Sequence, residues 1–247
     1  IQYLLLTDSN LRNMTGTEEP AETVEAEIVT PTPTPEGNGR KIAIDAGHQA
    51  HGNSEQEPIG PGASQTKAKV ASGTTGRTTG VTEYQLNLDV SLKLQQILED
   101  RGYQTVLTRT DNDTAISNKE RAEYVVGQGA EVYVRIHANG AESSSAAGAL
   151  TISPSSSNPY VSQLYDDSNS LSQCILDAYC DATGFENRGV THADNMTGIN
   201  WSTIPVTIVE MGFMTNESDD LKMSNPDFQN TMASGIADGI DAYFAEK

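Results

Sequence analysis

The sequence predicts an α/β fold: a single domain on a mainly parallel, twisted sheet of about six strands flanked by helices. Three observations lead there. The apolar runs KIAID, EVYVRI and VTIV are continuous rather than alternating, as in strands buried on both faces. Stretches of helical period separate such runs. Each run also stops at a side chain that can bind a metal or move a proton: His48, His137 and Glu210. Open α/β sheets collect ligands at the carboxyl ends of their strands, so three such endings at one edge predict a site.

The elements follow in order. Arg40 to His48 reads as the first strand, and Gln49–Gly80, rich in Gly, Ser and Thr, as a long loop. Loops of that length inside compact domains tend to be functional or disordered. Thr82 and Gln85 have capping-box spacing, and Leu86, Val90, Leu94 and Leu98 repeat every four residues, so a helix buries one face until Gly102. Gln104–Thr108 is a short strand. Ser117 and Glu120 form a second capping box, opening a helix to about Val126. Glu131–His137 and Gly148–Ser153 are further strands. Val161–Thr183 has helical spacing, with a break expected near Asp167–Ser170. Gly189–His192 reads as a fifth strand and Asp194–Pro205 as irregular chain around Trp201. After the strand beginning at Val206, Ser218 starts a short helix. Asn225-Pro226 caps the last helix, which runs to Phe244.

Residues 1–39 differ in composition. After Leu11 they are rich in Thr, Glu and Pro, and alternating Thr-Pro favours extended backbone over ladders or helices. They read as an N-terminal tail and linker, and 40–247 as the domain. The formal net charge of −19 argues against nucleic acid as partner, since phosphate binding needs a basic stripe. No apolar run approaches the ~18 residues of a membrane span. Cys174 and Cys180 are six positions apart on a predicted helix. Their ~9 Å rise exceeds the ~7 Å limit for a disulfide, so free, partly buried thiols are expected.

Imidazole is the commonest zinc ligand, and a catalytic zinc takes three protein ligands and keeps one position open. His48 and His137 are two candidates. The third is a His, Asp or Glu nearby. Glu83, at the first turn of the helix after the long loop, lies at the same sheet edge; His51 and His192 compete with it. A carboxylate in a first turn also serves the helix dipole, which is the plain alternative for Glu83. Glu210, closing the most apolar strand, needs a partner, and Arg135 is the structural alternative to a site role.

IDAGH, GVTEYQLNL, RIHANG and VEMGFMTN, in this order and with SNKERAEY between the second and third, resemble the zinc-dependent N-acetylmuramoyl-L-alanine amidases of bacterial cell walls. The resemblance runs from Lys41 to the C-terminus. It implies a phosphorylase/hydrolase-like α/β fold, Zn2+ held by His48, Glu83 and His137, and Glu210 as the catalytic carboxylate. It also implies hydrolysis of the bond between N-acetylmuramic acid and L-alanine of peptidoglycan, at the cell envelope or outside the cell. Asn139 and Arg188 are candidate substrate contacts. The family's usual DPGHGG reads Asp45-Ala46-Gly47-His48-Gln49-Ala50 here, and its ETGF reads Glu210-Met211-Gly212-Phe213; the candidate ligands survive both changes. A zinc peptidase or deacetylase of the wall would use the same ligand types, and an inactive wall-binding module would keep the fold.

Because a Thr/Pro/Glu tether buries little surface, deleting residues 1–39 is expected to leave the melting temperature within a degree or two of the full chain, read by circular dichroism. A large drop would show that IQYLLL docks on the domain.

Overall fold

The computed structural model describes residues 38–247. The tail and linker read at 1–39 lies outside the described residues up to position 37. The elements are β1 (Lys41–Ala46), β2 (Asn53–Pro58), β3 (Thr66–Val70), α1 (Glu83–Asp100), β4 (Gln104–Leu107), α2 (Asn118–Gly127), β5 (Val132–Asn139), β6 (Ala149–Ser153), α3 (Tyr165–Thr183), β7 (Asn187–His192), α4 (Thr197–Asn200), β8 (Val206–Phe213), α5 (Glu217–Met223) and α6 (Pro226–Ala245). Six strands make one sheet in the order β4-β1-β5-β8-β6-β7. The first four in that order are parallel. β6 turns antiparallel to β8, and β7 runs parallel to β6.

Each face of the sheet is covered, which is why its strands read as continuous apolar runs. On one side Ile42, Ile44, Val132, Val134 and Ile136 pack against Leu86, Val90, Leu94 and Leu98 of α1 and against α3 and α6. On the other, Ala43, Tyr133, Val206 and Ile208 pack against Ala122 and Val125 of α2 and Ile199 of α4. Side chains alternate along a strand, so Asp45 follows Ala43, and Arg135 and His137 follow Tyr133, onto this second face.

That alternation places a charge in the core. Asp45 is fully buried, and its carboxylate accepts from Arg121 Nη1 at 2.6 Å and from Arg135 Nε at 2.8 Å, with Thr108 and Tyr133 completing its shell. Burial disfavours its ionisation, but the two guanidinium groups and the hydroxyl outweigh burial and hold the carboxyl far below the usual range. Arg121, equally buried, also donates to the carbonyls of Ala46 (2.8 Å) and His48 (2.9 Å). Arg109 donates to Ala46 (2.7 Å), Gly47 (3.1 Å) and Tyr84 (2.7 Å). The chain leaving β1 is thus clamped carbonyl by carbonyl.

Several elements differ from expectation. The long loop contains the hairpin β2–β3, whose polar strands are largely exposed and so carry no apolar run; the Ile59-Gly60-Pro61-Gly62 turn was its readable sign. Thr82 caps α1 without a side-chain bond: Gln85 N donates to Thr82 O, and the Gln85 amide donates to Asp89 and accepts from Asn112. The Ser117–Glu120 capping box forms in both directions. No break interrupts α3; a 3-10 turn, Ser162–Leu164, precedes it, and Ser168 and Ser172 bond across to Val206 and Thr207 of β8. The irregular stretch after Asp194 holds the single turn α4. Cys174 and Cys180 are free, one half-buried and one buried.

Asp45→Asn leaves two buried guanidinium groups short of their counter-charge and is expected to destabilise the fold by about 3–5 kcal/mol in urea unfolding near neutral pH. Because the native carboxyl is held below its ordinary 3.8, this contribution is complete above about pH 4 and is lost as the pH falls towards the native value. The gap between wild type and variant should therefore narrow only in acid.

Candidate metal centre

β1 and β5 end side by side, with Ala46 opposite Ile136, and β5 and β8 pair His137 with Glu210. Glu83 is the first residue of α1 and is nearly fully buried, because the segment before it returns over the sheet edge and Glu83 N donates to Thr74 O at 3.0 Å. Its Oε1 lies 3.1 Å from His48 Nε2 and 3.2 Å from His137 Nδ1. The two imidazole rings stand edge-on, 4.8 Å between centroids. One donor atom from each of His48, Glu83 and His137 falls within 4.8 Å of the others.

The surroundings orient each donor. His48 Nδ1 is 2.8 Å from Ala71 O, which fixes the proton there and turns the Nε2 lone pair inwards. Glu83 Oε2 accepts from Thr74 N at 2.9 Å, and Oε1 from Ala138 N at 3.2 Å. Asn87, one turn along α1, donates to Gly47 O at 3.1 Å and reaches Glu83 Oε1 at 3.4 Å. Gly47 is required by close approach: a Cβ there would lie 2.2 Å from His137 Nε2. The left-handed residue at this turn is His48, at φ 62°, so Gly47 is needed for space and not for backbone freedom. A non-glycine residue in that region stores about 1–3 kcal/mol, and the arginine clamp on the flanking carbonyls holds it.

The electrostatics suit a cation. Burial lowers the His137 imidazole to about 4 despite the facing Glu83, so the ring is neutral near pH 7, the form that can bind a metal. Burial opposes the charge on Glu83, yet the facing His137 and His48 imidazoles outweigh it and hold its carboxyl well below the usual range. Burial, with Glu83 nearby, pushes Glu210 up to about 8, Arg135 only partly opposing. Glu210 Oε2 and His137 Nε2 are buried without a hydrogen-bond partner among the described residues. Two imidazoles and a carboxylate around one point, beside a carboxyl with a partnerless oxygen, form the donor set that zinc takes. The residues present fit the ion.

Around the triad lies an open groove of about 550 Å³, lined in part by Thr74, Arg77, Asn139, Glu142, Glu210 and Thr215. Asn139 is therefore at the site. Arg188 is not: it donates to Ala147 O and stacks on Phe213. His51 is exposed on another groove, and His192 bonds Ser153 beside Tyr165, so neither joins the cluster. Arg135 makes no ion pair with Glu210 among the described residues; its Nε goes to Asp45 and its Nη2 to Asn118. Asp45, Asn87, Arg109 and Arg121 were missed as supports; Asp45 and Arg121 stood inside IDAGH and SNKERAEY, where the motifs could have flagged them.

Comparisons with known proteins agree with this geometry. LytC of Bacillus subtilis strain 168, an N-acetylmuramoyl-L-alanine amidase, is 30% identical over 208 residues, covering 83% of this chain and 36% of LytC. The chain thus spans about a third of that relative's length. The N-acetylmuramoyl-L-alanine amidase of Clostridium difficile 630 superposes with a TM-score of 0.69 at 29% identity, over 85% of this chain and 100% of that one. The amidase Ami1 of Mycobacterium smegmatis shares the fold, with a TM-score of 0.77 at 24% identity over 85% and 98% of the two chains. The family profile described as N-acetylmuramoyl-L-alanine amidase matches residues 42–242. This chain belongs to the N-acetylmuramoyl-L-alanine amidase family.

Proposed function

We propose that this chain hydrolyses the amide bond between N-acetylmuramic acid and L-alanine in peptidoglycan, at the cell envelope, with His48, Glu83 and His137 holding a zinc ion. The observation that carries this reading is the convergence of those three donors beside a partnerless carboxyl, Glu210, in one groove. Family membership supports the choice of bond. When bound, zinc supplies Lewis-acid polarisation of the scissile carbonyl and makes a neighbouring water easier to deprotonate.

The chain's own residues do the rest. His48 and Glu83 hold their orientation through Ala71, Thr74 and Ala138. Glu210, opposite His137 in the sheet register, takes the proton of the attacking water and gives it to the departing alanine nitrogen. Burial and the nearby Glu83 raise its proton affinity, which suits a carboxylate that takes a proton and then passes it on. Asn139 borders the groove and is assigned a polar contact to substrate.

Purified protein is expected to carry about one zinc per chain by mass spectrometry. His48→Ala, Glu83→Ala and His137→Ala should each drop to background, whereas His51→Ala and His192→Ala should not. Loss of zinc in His192→Ala with retention in Glu83→Ala would overturn the ligand set.

Glu210→Gln keeps size and hydrogen bonding but cannot accept the proton. It should bind zinc normally and release stem peptide from purified peptidoglycan on the order of 10²–10⁴-fold more slowly. Near-normal turnover with zinc confirmed would remove Glu210 from the mechanism. Shortened stem peptides in the digest, rather than intact ones freed from sugar, would replace the amidase reading with a peptidase.

A further inference from the structure

A second groove, of about 400 Å³, shares His48, His137 and Glu210 with the first. It leaves the triad between β3 and the turn at Met196–Gly198. Ala68, Ala71, Met196 and Ile208 give it small apolar walls. Beyond the shared residues, the charged side chains lining it are Lys67 and Arg135, both cations. The first groove instead sets Arg77 against Glu142.

Both cations have charge to spare. Arg135 is 3% exposed, yet only part of its guanidinium is used: Nε by Asp45 and Nη2 by Asn118, each at 2.8 Å. Nη1 has no partner among the described residues. It is held at the groove by Gly198, where a Cβ would lie 2.2 Å from it. Asp45 cannot neutralise Arg135 alone, since the same carboxylate also serves Arg121. Lys67 has no carboxylate within ion-pair distance among the described residues. On a chain of net charge −19, two under-compensated cations facing one groove form a local exception.

The two arms of the substrate differ in the same way. On the acyl side of the scissile bond lies an uncharged sugar. On the amine side lies a peptide that starts with a methyl side chain and then carries carboxylates. We propose that the groove between β3 and Gly198 is the stem-peptide subsite, in which Lys67 and Arg135 Nη1 take the α-carboxylate of the residue following L-alanine. This rests on the amidase reading above. A guanidinium nitrogen without a partner, on a side chain otherwise locked in place, is a strong donor to a carboxylate, and the alanine methyl matches the apolar wall. The sugar then falls to the wider, near-neutral groove past Asn139.

The test is calorimetry on the zinc-loaded full chain, with L-alanyl-γ-D-glutamate and the same dipeptide bearing an α-carboxamide. The free acid is expected to bind about tenfold more tightly at low ionic strength. Lys67→Ala should bring the two to near parity, and Arg135→Lys should weaken the acid selectively. Lys67 is half-exposed, so its variant folds whether or not the Arg135 variant does. Equal affinity of the two dipeptides for wild type, or an unchanged preference in Lys67→Ala, overturns the subsite. Turnover of N-acetylmuramyl-L-alanyl-D-glutamate, which carries the free α-carboxylate, is measured on the same samples: cleavage without preference overturns the subsite alone, and preference without cleavage overturns the amidase reading alone.

Discussion

The carboxylate of Asp45 sits at the centre of the sheet's second face, with Arg121 and Arg135 bonded to its two oxygens. The two strands that carry the histidines are tied to this contact. Arg121 carries it to the carbonyls of Ala46 and His48, and so to the backbone from which the first imidazole projects. Arg135 carries it to β5, two residues before the second imidazole, and to Asn118 at the start of α2. A buried ion pair is weak evidence of stability, since desolvation offsets much of the attraction. Its value here lies in geometry, because the clamp allows one arrangement of the chain after β1. That arrangement includes a non-glycine residue at positive φ, which unaided backbone would relax.

The rest of the centre follows from sheet order. β1 and β5 are neighbours, as are β5 and β8, so His48, His137 and Glu210 arrive at adjacent strand ends. Parallel strands put those ends at one edge. α1 starts where the hairpin segment returns to that edge, and Glu83 enters between the two imidazoles. The helix-dipole alternative for Glu83 describes a side chain in solvent. The actual one is buried and accepts from Thr74 and Ala138 while facing two rings. Close packing then dictates small residues: at Gly47 the His137 ring occupies the space of a side chain, and at Gly198 the Arg135 guanidinium does.

Charge is distributed unevenly over this frame. The chain as a whole is acidic, and its buried carboxyls divide into two kinds. Asp45 and Glu83 are hydrogen-bonded on several sides and stay ionised. Glu210 has one oxygen without a partner and lies near Glu83, so burial drives it towards the protonated form. Carboxyls pushed apart in this way can divide the labour of holding a charge and moving a proton.

Much of this was legible in the sequence. Continuous apolar runs marked the parallel strands because both sheet faces are covered, and the spacing of Leu86, Val90, Leu94 and Leu98 marked the buried face of α1. The Ser117–Glu120 box and the Asn225-Pro226 cap were local signals satisfied locally. The hairpin β2–β3 was not legible, since exposed polar strands leave no periodic trace. Nor was the continuity of α3, whose serines are satisfied by a strand far along the chain. The sequence by itself determined the elements and a short set of residues able to bind a metal, because periodicity and residue chemistry are local properties. Only the tertiary structure decided that Glu83, and neither His51 nor His192, meets the two histidines, and that Arg135 serves Asp45 rather than Glu210. Those outcomes depend on distances through space between segments dozens of residues apart, which no local pattern encodes.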